Sequence, residues 1–262
     1  VQGFLKTIVD HKKSLLIAKK AFFNEVRDQV DLTQLTHYRL FKKVISRPEK
    51  INLIAEIKKA SPSRGIIRKD FNALEIAKIY FESGAAALSV LTEEKYFLGK
   101  LSYIRDIQAS INIPILRKDF IIDEAQIYES FRSRASAILL IVAILNKKKL
   151  QDLIKMAKRL DLDPIVEIHN EGELEIALES GADIIGVNNR DLDTFQIDLN
   201  LSRQLIPKMP KDIITVVESG IKNHEDIKEF RDMGVNAVLI GETFMRSDDI
   251  PSKIAEIMGG QG

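Results

Sequence analysis

Three stretches of the chain repeat one transition, from an amphipathic helix through a glycine into an apolar run. They are Glu82-Ser83-Gly84-Ala85-Ala86-Ala87-Leu88, Glu179-Ser180-Gly181-Ala182-Asp183-Ile184-Ile185 and Asp232-Met233-Gly234-Val235-Asn236-Ala237-Val238. Each glycine suits a helix C-cap, where a left-handed residue closes the last turn. The glycines lie about 97 and about 53 residues apart, close to four and two units of roughly 25 residues, the size of one βα repeat. A further transition is therefore expected inside the first gap. Phe131-Arg132-Ser133-Arg134-Ala135-Ser136-Ala137-Ile138-Leu139 supplies it, with Arg134 where the others carry glycine.

Apolar runs bounded by turn residues predict eight strands, near 53–57, 86–91, 113–117, 137–142, 164–168, 184–188, 213–217 and 237–240. Amphipathic segments such as 73–82, 147–160, 171–179 and 225–232 separate them. Alternation of this kind implies a parallel sheet, and eight units close it. The expected fold is α/β, a (β/α)8 TIM barrel with an N-terminal helical extension. The whole chain, 1–262, is read as one barrel domain, with 1–50 as helices packed on it through positions such as Phe4, Leu5, Ile8, Leu15 and Leu16. A doubly wound open sheet is the structural alternative, but its Gly-x-Gly-x-x-Gly fingerprint is absent.

Composition narrows the function. A formal charge of +1 gives no basic surface for releasing counterions, so nucleic acid is not an expected partner. The absence of cysteine excludes disulfides and thiol nucleophiles and fits a reducing cytoplasm, where the chain is expected to work. The longest apolar stretch, 137–145, falls far short of the roughly 20 residues that span a bilayer, and neither a membrane anchor nor a secretory signal is expected. His11, His37, His169 and His224 show no ligand spacing, so no metal is expected.

Barrel active sites lie at the C-terminal ends of the strands, so polar residues there carry the information. Strand one delivers Glu56 and Lys58 two residues apart, hence on one face; a structural ion pair is the alternative reading. Strand three delivers Lys118, which in a barrel mouth acts as a proton donor or, deprotonated, as a nucleophile. Strand five delivers Glu167, followed by His169, which reads as a loop or capping residue. Strand six delivers Asn188 and Arg190, and strand seven Glu218. So many charges at packed strand ends must be paired or working. After strands seven and eight come Ser219-Gly220 and Gly241-Glu242-Thr243, where backbone N–H groups and a short helix suit a phosphate. Ser61 and Ser63, in a loop read as mobile, add donors.

These residues resemble indole-3-glycerol phosphate synthase. The likeness lies in Ile54-Ala55-Glu56-Ile57-Lys58-Lys59-Ala60-Ser61-Pro62-Ser63, Leu88-Ser89-Val90-Leu91-Thr92, Leu116-Arg117-Lys118-Asp119-Phe120, Val187-Asn188-Asn189-Arg190-Asp191-Leu192 and Glu218-Ser219-Gly220-Ile221, and extends to Gly241-Glu242-Thr243-Phe244-Met245-Arg246. The resemblance implies ring closure of 1-(2-carboxyphenylamino)-1-deoxyribulose 5-phosphate to indole-3-glycerol phosphate, with loss of carbon dioxide and water, in tryptophan biosynthesis. No cofactor is implied, and the partner is a small phosphorylated substrate. The expected state is a monomer, with association with other tryptophan-pathway enzymes left open.

By resemblance Lys118 is the general acid and Glu167 the general base, with Glu56 a competing or cooperating candidate. Lys58 binds the anthranilate carboxylate and assists dehydration. Asn188, Arg190, Glu218 and Ser219 orient the substrate, and Phe97, Phe120 and Leu139 wall its aromatic ring. Ser61, Gly220, Gly241, Glu242 and Thr243 hold the phosphate, the last three mainly through backbone N–H groups. Departures from the family pattern are Arg134 for glycine, Ala143 where some relatives carry lysine, and Val217 before Glu218; they bear on stability and fit more than on the reaction. A Schiff-base aldolase using Lys118, and a non-catalytic phosphate-binding barrel, remain the competing readings.

Overall fold

A computed structural model describes residues 3–30, 40–48 and 50–260. Eight parallel strands form a closed barrel: β1 (Asn52–Ile57), β2 (Ala87–Leu91), β3 (Ile115–Lys118), β4 (Ala137–Ile141), β5 (Asp163–Ile168), β6 (Ile184–Asn188), β7 (Ile214–Glu218) and β8 (Ala237–Ile240). Each pairs with its successor, and β8 closes on β1 with Asn52 beside Ala237 and Ala55 beside Ile240. The (β/α)8 TIM barrel is thus the fold. Two strands are shifted toward the C-terminus at both ends relative to the sequence reading, and others differ by one residue at one end. β3 starts after Pro114, which has no N–H for the ladder, and β7 runs on through Glu218, so Lys118 and Glu218 are held by strand backbone.

Six of the helices begin where an Asn or Asp side chain accepts from the first free N–H groups. Asn72, Asp123, Asn146, Asn170, Asn223 and Asp249 all do this, Asp123 and Asn223 as full capping boxes. The apolar faces of the barrel helices bury Tyr80, Ile104, Leu150, Ala177 and Phe230 against the outside of the strands. A second core fills the barrel itself with Ile54, Leu116, Ala137, Leu139, Ile165, Ile184, Val216 and Leu239.

The N-terminal extension touches both ends of this inner core. Helix α3 (Leu40–Ile45) plugs the N-terminal end with Phe41, Val44 and Ile45. The Lys42 N–H donates to Asp163 at 2.7 Å and Asn52 Nδ2 donates to the Ile45 carbonyl at 3.0 Å. Helix α1 (Gly3–Ala18) lies over the opposite end, with Leu5 and Ile8 in the inner core and Lys12 ion-paired to Asp119 at 2.6 Å just beyond β3. Helix α2 (Lys20–Asp28) packs on the barrel helix Glu124–Arg132. Residues 1–2, 31–39, 49 and 261–262, and with them His37, lie outside the described residues. Among the described residues no helix is long and apolar enough to cross a membrane.

Arg134 adopts the left-handed conformation, φ 63°, that Gly84, Gly181 and Gly234 take at the equivalent turns. A side chain there crowds its own backbone by roughly 1–2 kcal/mol, and the Arg134 side chain is exposed. Arg134→Gly is therefore expected to stabilise the protein by about 0.5–1 kcal/mol, less than the full strain because glycine also loosens the unfolded chain. A urea midpoint that stays put or falls would contradict this.

Candidate active site

The C-terminal ends of the strands open into a cavity of about 520 Å³, within the range of small-ligand sites. Glu56 and Lys58 from β1 and its end, Lys118 from β3, Leu139 from β4, Glu167 from β5, Asn188 from β6 with Arg190 just beyond, and Glu218 from β7 all line it. So do Phe97, Phe120, Ser61, Ser219, Gly220, Gly241, Glu242 and Thr243. Every site residue named from the sequence thus faces one space. Leu139 serves two masters, lining the cavity while belonging to the barrel's inner core.

At the floor, the Lys118 ammonium donates to Glu167 Oε2 at 2.9 Å and to Glu218 Oε2. Burial opposes its charge, but Glu167, Glu218 and Glu56 outweigh that and hold it protonated well above the usual lysine range. One lysine cannot neutralise two buried carboxylates equally. Burial likewise opposes the charge of Glu167, yet Lys118 and His169 keep it well below the carboxylate range. Glu218, raised by burial, only partly relieved by Lys118 and repelled by Glu167 and Glu56, reaches about 7. Its Oε1 is buried without a hydrogen-bond partner, an acceptor left over for a proton or a ligand group.

Two glycines make room for these acids. A Cβ on Gly186 would lie 2.3 Å from Glu218 Oε1, and one on Gly241 would lie 2.5 Å from Glu56 Oε1. Gly241, expected from the sequence to offer its backbone to an anion, seats Glu56, which in turn pairs with Lys58 at 2.5 Å. The ion-pair reading of Glu56 and Lys58 and their place in the cavity hold together, since the pair faces open space.

His169 is not merely a loop residue. Its Nδ1 sits 3.2 Å from Glu173 and its Nε2 3.3 Å from Glu167 Oε1. Burial works against the charged ring, but the two carboxylates raise it to about 10. It backs Glu167 from behind the cavity wall, a contact that period-two alternation with Glu167 hinted at. The sequence also passed over Leu192, Phe195 and Ile197, which bring the loop after β6 over the cavity. That loop folds back through an Arg190–Ile197 bridge, and no spacing rule announces such a return. Asp119 lines the cavity too, and its neighbours show why it is there: it takes Lys12, Arg117, Thr92 and the Phe120 N–H at once.

At the other end, Ser219 and Gly220 both have positive φ, 64° and 97°, and this sharp turn after β7 lines the cavity. Ser219 donates to Asn188 Oδ1 at 2.9 Å, and the same oxygen accepts the Arg190 N–H at 3.1 Å. Ser61 belongs to a two-stranded hairpin, Ala60–Ser61 with Gly65–Ile66, rather than to an irregular loop. Arg68 fastens the chain after it by donating to the Met245 and Ser247 carbonyls. Among the described residues no group of His, Asp and Glu side chains could hold a metal ion.

A family model described as indole-3-glycerol phosphate synthase matches residues 5–257. The chain is 46% identical over 258 residues to the indole-3-glycerol phosphate synthase of Alkaliphilus metalliredigens, covering 98% of each chain. It is 48% identical to that of Thermoanaerobacter pseudethanolicus, covering 97% of this chain and 96% of the other. Among solved structures, a 3-hexulose-6-phosphate synthase superposes with a TM-score of 0.64 at 15% identity, over 81% of this chain and all (100%) of the other, a likeness of fold alone.

The raised Glu218 has a consequence for stability. The folded chain binds its proton up to about pH 7, against 4.5 for a free glutamate in the unfolded chain, so this stabilisation is full below 4.5 and lost as pH rises to about 7. Glu167 acts oppositely, stabilising above 4.5 and losing that contribution as pH falls. Glu218→Gln should therefore flatten the decline of the urea midpoint between about pH 5 and pH 7. An unchanged slope would show that Glu218 is ionised throughout.

Proposed function

The chain belongs to the indole-3-glycerol phosphate synthase family, and on that premise we propose how its residues divide the work. The activity is the decarboxylating and dehydrating ring closure of 1-(2-carboxyphenylamino)-1-deoxyribulose 5-phosphate to indole-3-glycerol phosphate in tryptophan biosynthesis, a carboxy-lyase reaction. The observation that carries the residue assignments is the Lys118 ammonium held between Glu167 and Glu218 on the cavity floor.

In this reading Lys118 gives its proton to the substrate's carbonyl oxygen as the aromatic carbon bearing the carboxylate attacks the carbonyl carbon. Loss of carbon dioxide from that aromatic carbon restores the ring. Lys58, steadied by Glu56, holds the departing carboxylate and then assists loss of the new hydroxyl as water. Glu167 takes the proton that dehydration releases from nitrogen or carbon. The two steps are coupled electrostatically: once Lys118 has lost its proton, the main attraction keeping Glu167 weakly basic is gone. Glu167 thus gains basicity when a base is needed.

Asn188, Arg190, Ser219 and Glu218 orient the substrate, while Phe97 and Phe120, with ring centroids 6.0 Å apart, and Leu139 wall its aromatic ring. Ser61, Gly220, Gly241, Glu242 and Thr243 surround the phosphate, the last three through backbone N–H groups. The reading takes 1–262 as one barrel domain with 1–50 as its extension. It is completed by a cytoplasmic monomer, free to associate with other tryptophan-pathway enzymes, that uses no cofactor.

The chain contains no tryptophan, so indole fluorescence reports product without a tryptophan background from the protein. Incubation with the carboxyphenylamino-deoxyribulose phosphate should produce that signal, and none at high enzyme concentration would sink the assignment. Lys118→Ala should lower kcat by on the order of 10² or more, the scale of a lost general acid; an unchanged rate removes Lys118 from the chemistry. A Schiff-base aldolase instead needs a neutral amine. Borohydride with a carbonyl substrate should leave Lys118 unmodified, and a trapped adduct there would favour the aldolase.

A further inference from the structure

The phosphate end of the cavity holds an ion cluster whose carboxylate has no part in the proton transfers proposed above. Glu242 places its carboxylate between two guanidinium groups: Oε1 accepts from Arg64 Nε at 3.0 Å and Oε2 from Arg190 NH2 at 3.0 Å. A third, Arg246, stands 3.8 Å away. These arginines come from separate parts of the barrel mouth, the hairpin after β1, the loop after β6 and the end of the short helix after β8. All of them line the cavity, together with Ser61 and Gly220.

An acidic side chain is an unexpected occupant of a place meant for a phosphate dianion. Guanidinium groups bind carboxylate and phosphate through the same forked donors, so one anion can replace the other on the same arginines. Both anions cannot keep the same donors, and at a few ångströms they repel each other in a partly dry cavity. Glu242 and Arg190 are only 19% and 20% exposed, so little water separates them, whereas Arg64 is 57% exposed and carried on a short hairpin. Arg190 is further tied to the Phe195 carbonyl at 3.4 Å. Arg64 is therefore the donor best able to change partner.

We propose that the Glu242 carboxylate is a stand-in for the substrate's phosphate. It occupies the Arg64 and Arg190 donors, and an incoming phosphate takes them over. Glu242 then sets how tightly any phosphate is held, keeping the arginines in place while limiting retention of product and of inorganic phosphate. The inference rests on the phosphate placement given above, but its test does not need turnover.

The experiment is calorimetric titration of the full chain with inorganic phosphate at fixed salt, for wild type, Glu242→Gln and Glu242→Ala. Removing the competing charge should tighten phosphate binding about fivefold or more in both variants, the scale of losing one like charge at close range. KM for the substrate should fall with it, without a rise in kcat. If Glu242 served only to position the arginines, both variants would bind phosphate more weakly. Weaker or unchanged binding overturns the proposal. Tighter phosphate binding in a chain that fails to close the indole ring would uphold the stand-in and strike the activity instead. Ring closure by a wild-type chain that does not bind phosphate would overturn the stand-in and leave the activity.

Discussion

The site depends on one ammonium group shared by two carboxylates. Lys118, Glu167 and Glu218 come from β3, β5 and β7, and in an open sheet their side chains would not converge. Closure of the barrel brings alternate strands together at one level, so the three meet on its axis. Their charges sum to minus one in a dry place, which keeps the lysine charged, Glu167 ionised and Glu218 ready to accept a proton near neutrality. The sharing is what gives two like carboxylates unlike properties.

The rest of the molecule serves that arrangement by making space and by fixing strand ends. Gly186 and Gly241 leave the volume that Glu218 and Glu56 fill. Asp119, immediately after Lys118, is saturated by four donors, including Lys12 from the N-terminal extension. Burial opposes its charge, but Lys12 and Arg117 hold it well below the carboxylate range, so it stays a fixed anion that anchors the end of β3. The extension is therefore wired to the residue beside Lys118 at one end and plugs the barrel at the other.

The barrel could be read from the sequence because its signals are local: apolar runs, glycine turns and helix caps recur at a steady interval. Arg134 shows the strength of that rhythm, since the chain adopts the left-handed turn there even without glycine. Glu56, Lys58, Lys118, Glu167 and Glu218 were visible as polar residues at the ends of apolar runs, a position with few structural uses. What stayed hidden depends on contacts between distant segments. His169 against Glu167, Lys12 on Asp119, and Glu242 between Arg64 and Arg190 involve partners that no periodicity relates. The loop carrying Phe195 and Ile197 likewise reaches the cavity only by folding back on Arg190.

The central claim is that Lys118 enters the reaction as an ammonium ion. Nitrogen NMR of the Lys118 side chain in the ligand-free protein, followed as pH is raised, tests this directly. The account predicts that Lys118 Nζ stays charged beyond about 10.4, where an unperturbed lysine gives up its proton. A Lys118 that titrates to the neutral amine near pH 7 would contradict it, and would describe a nucleophile in place of an acid.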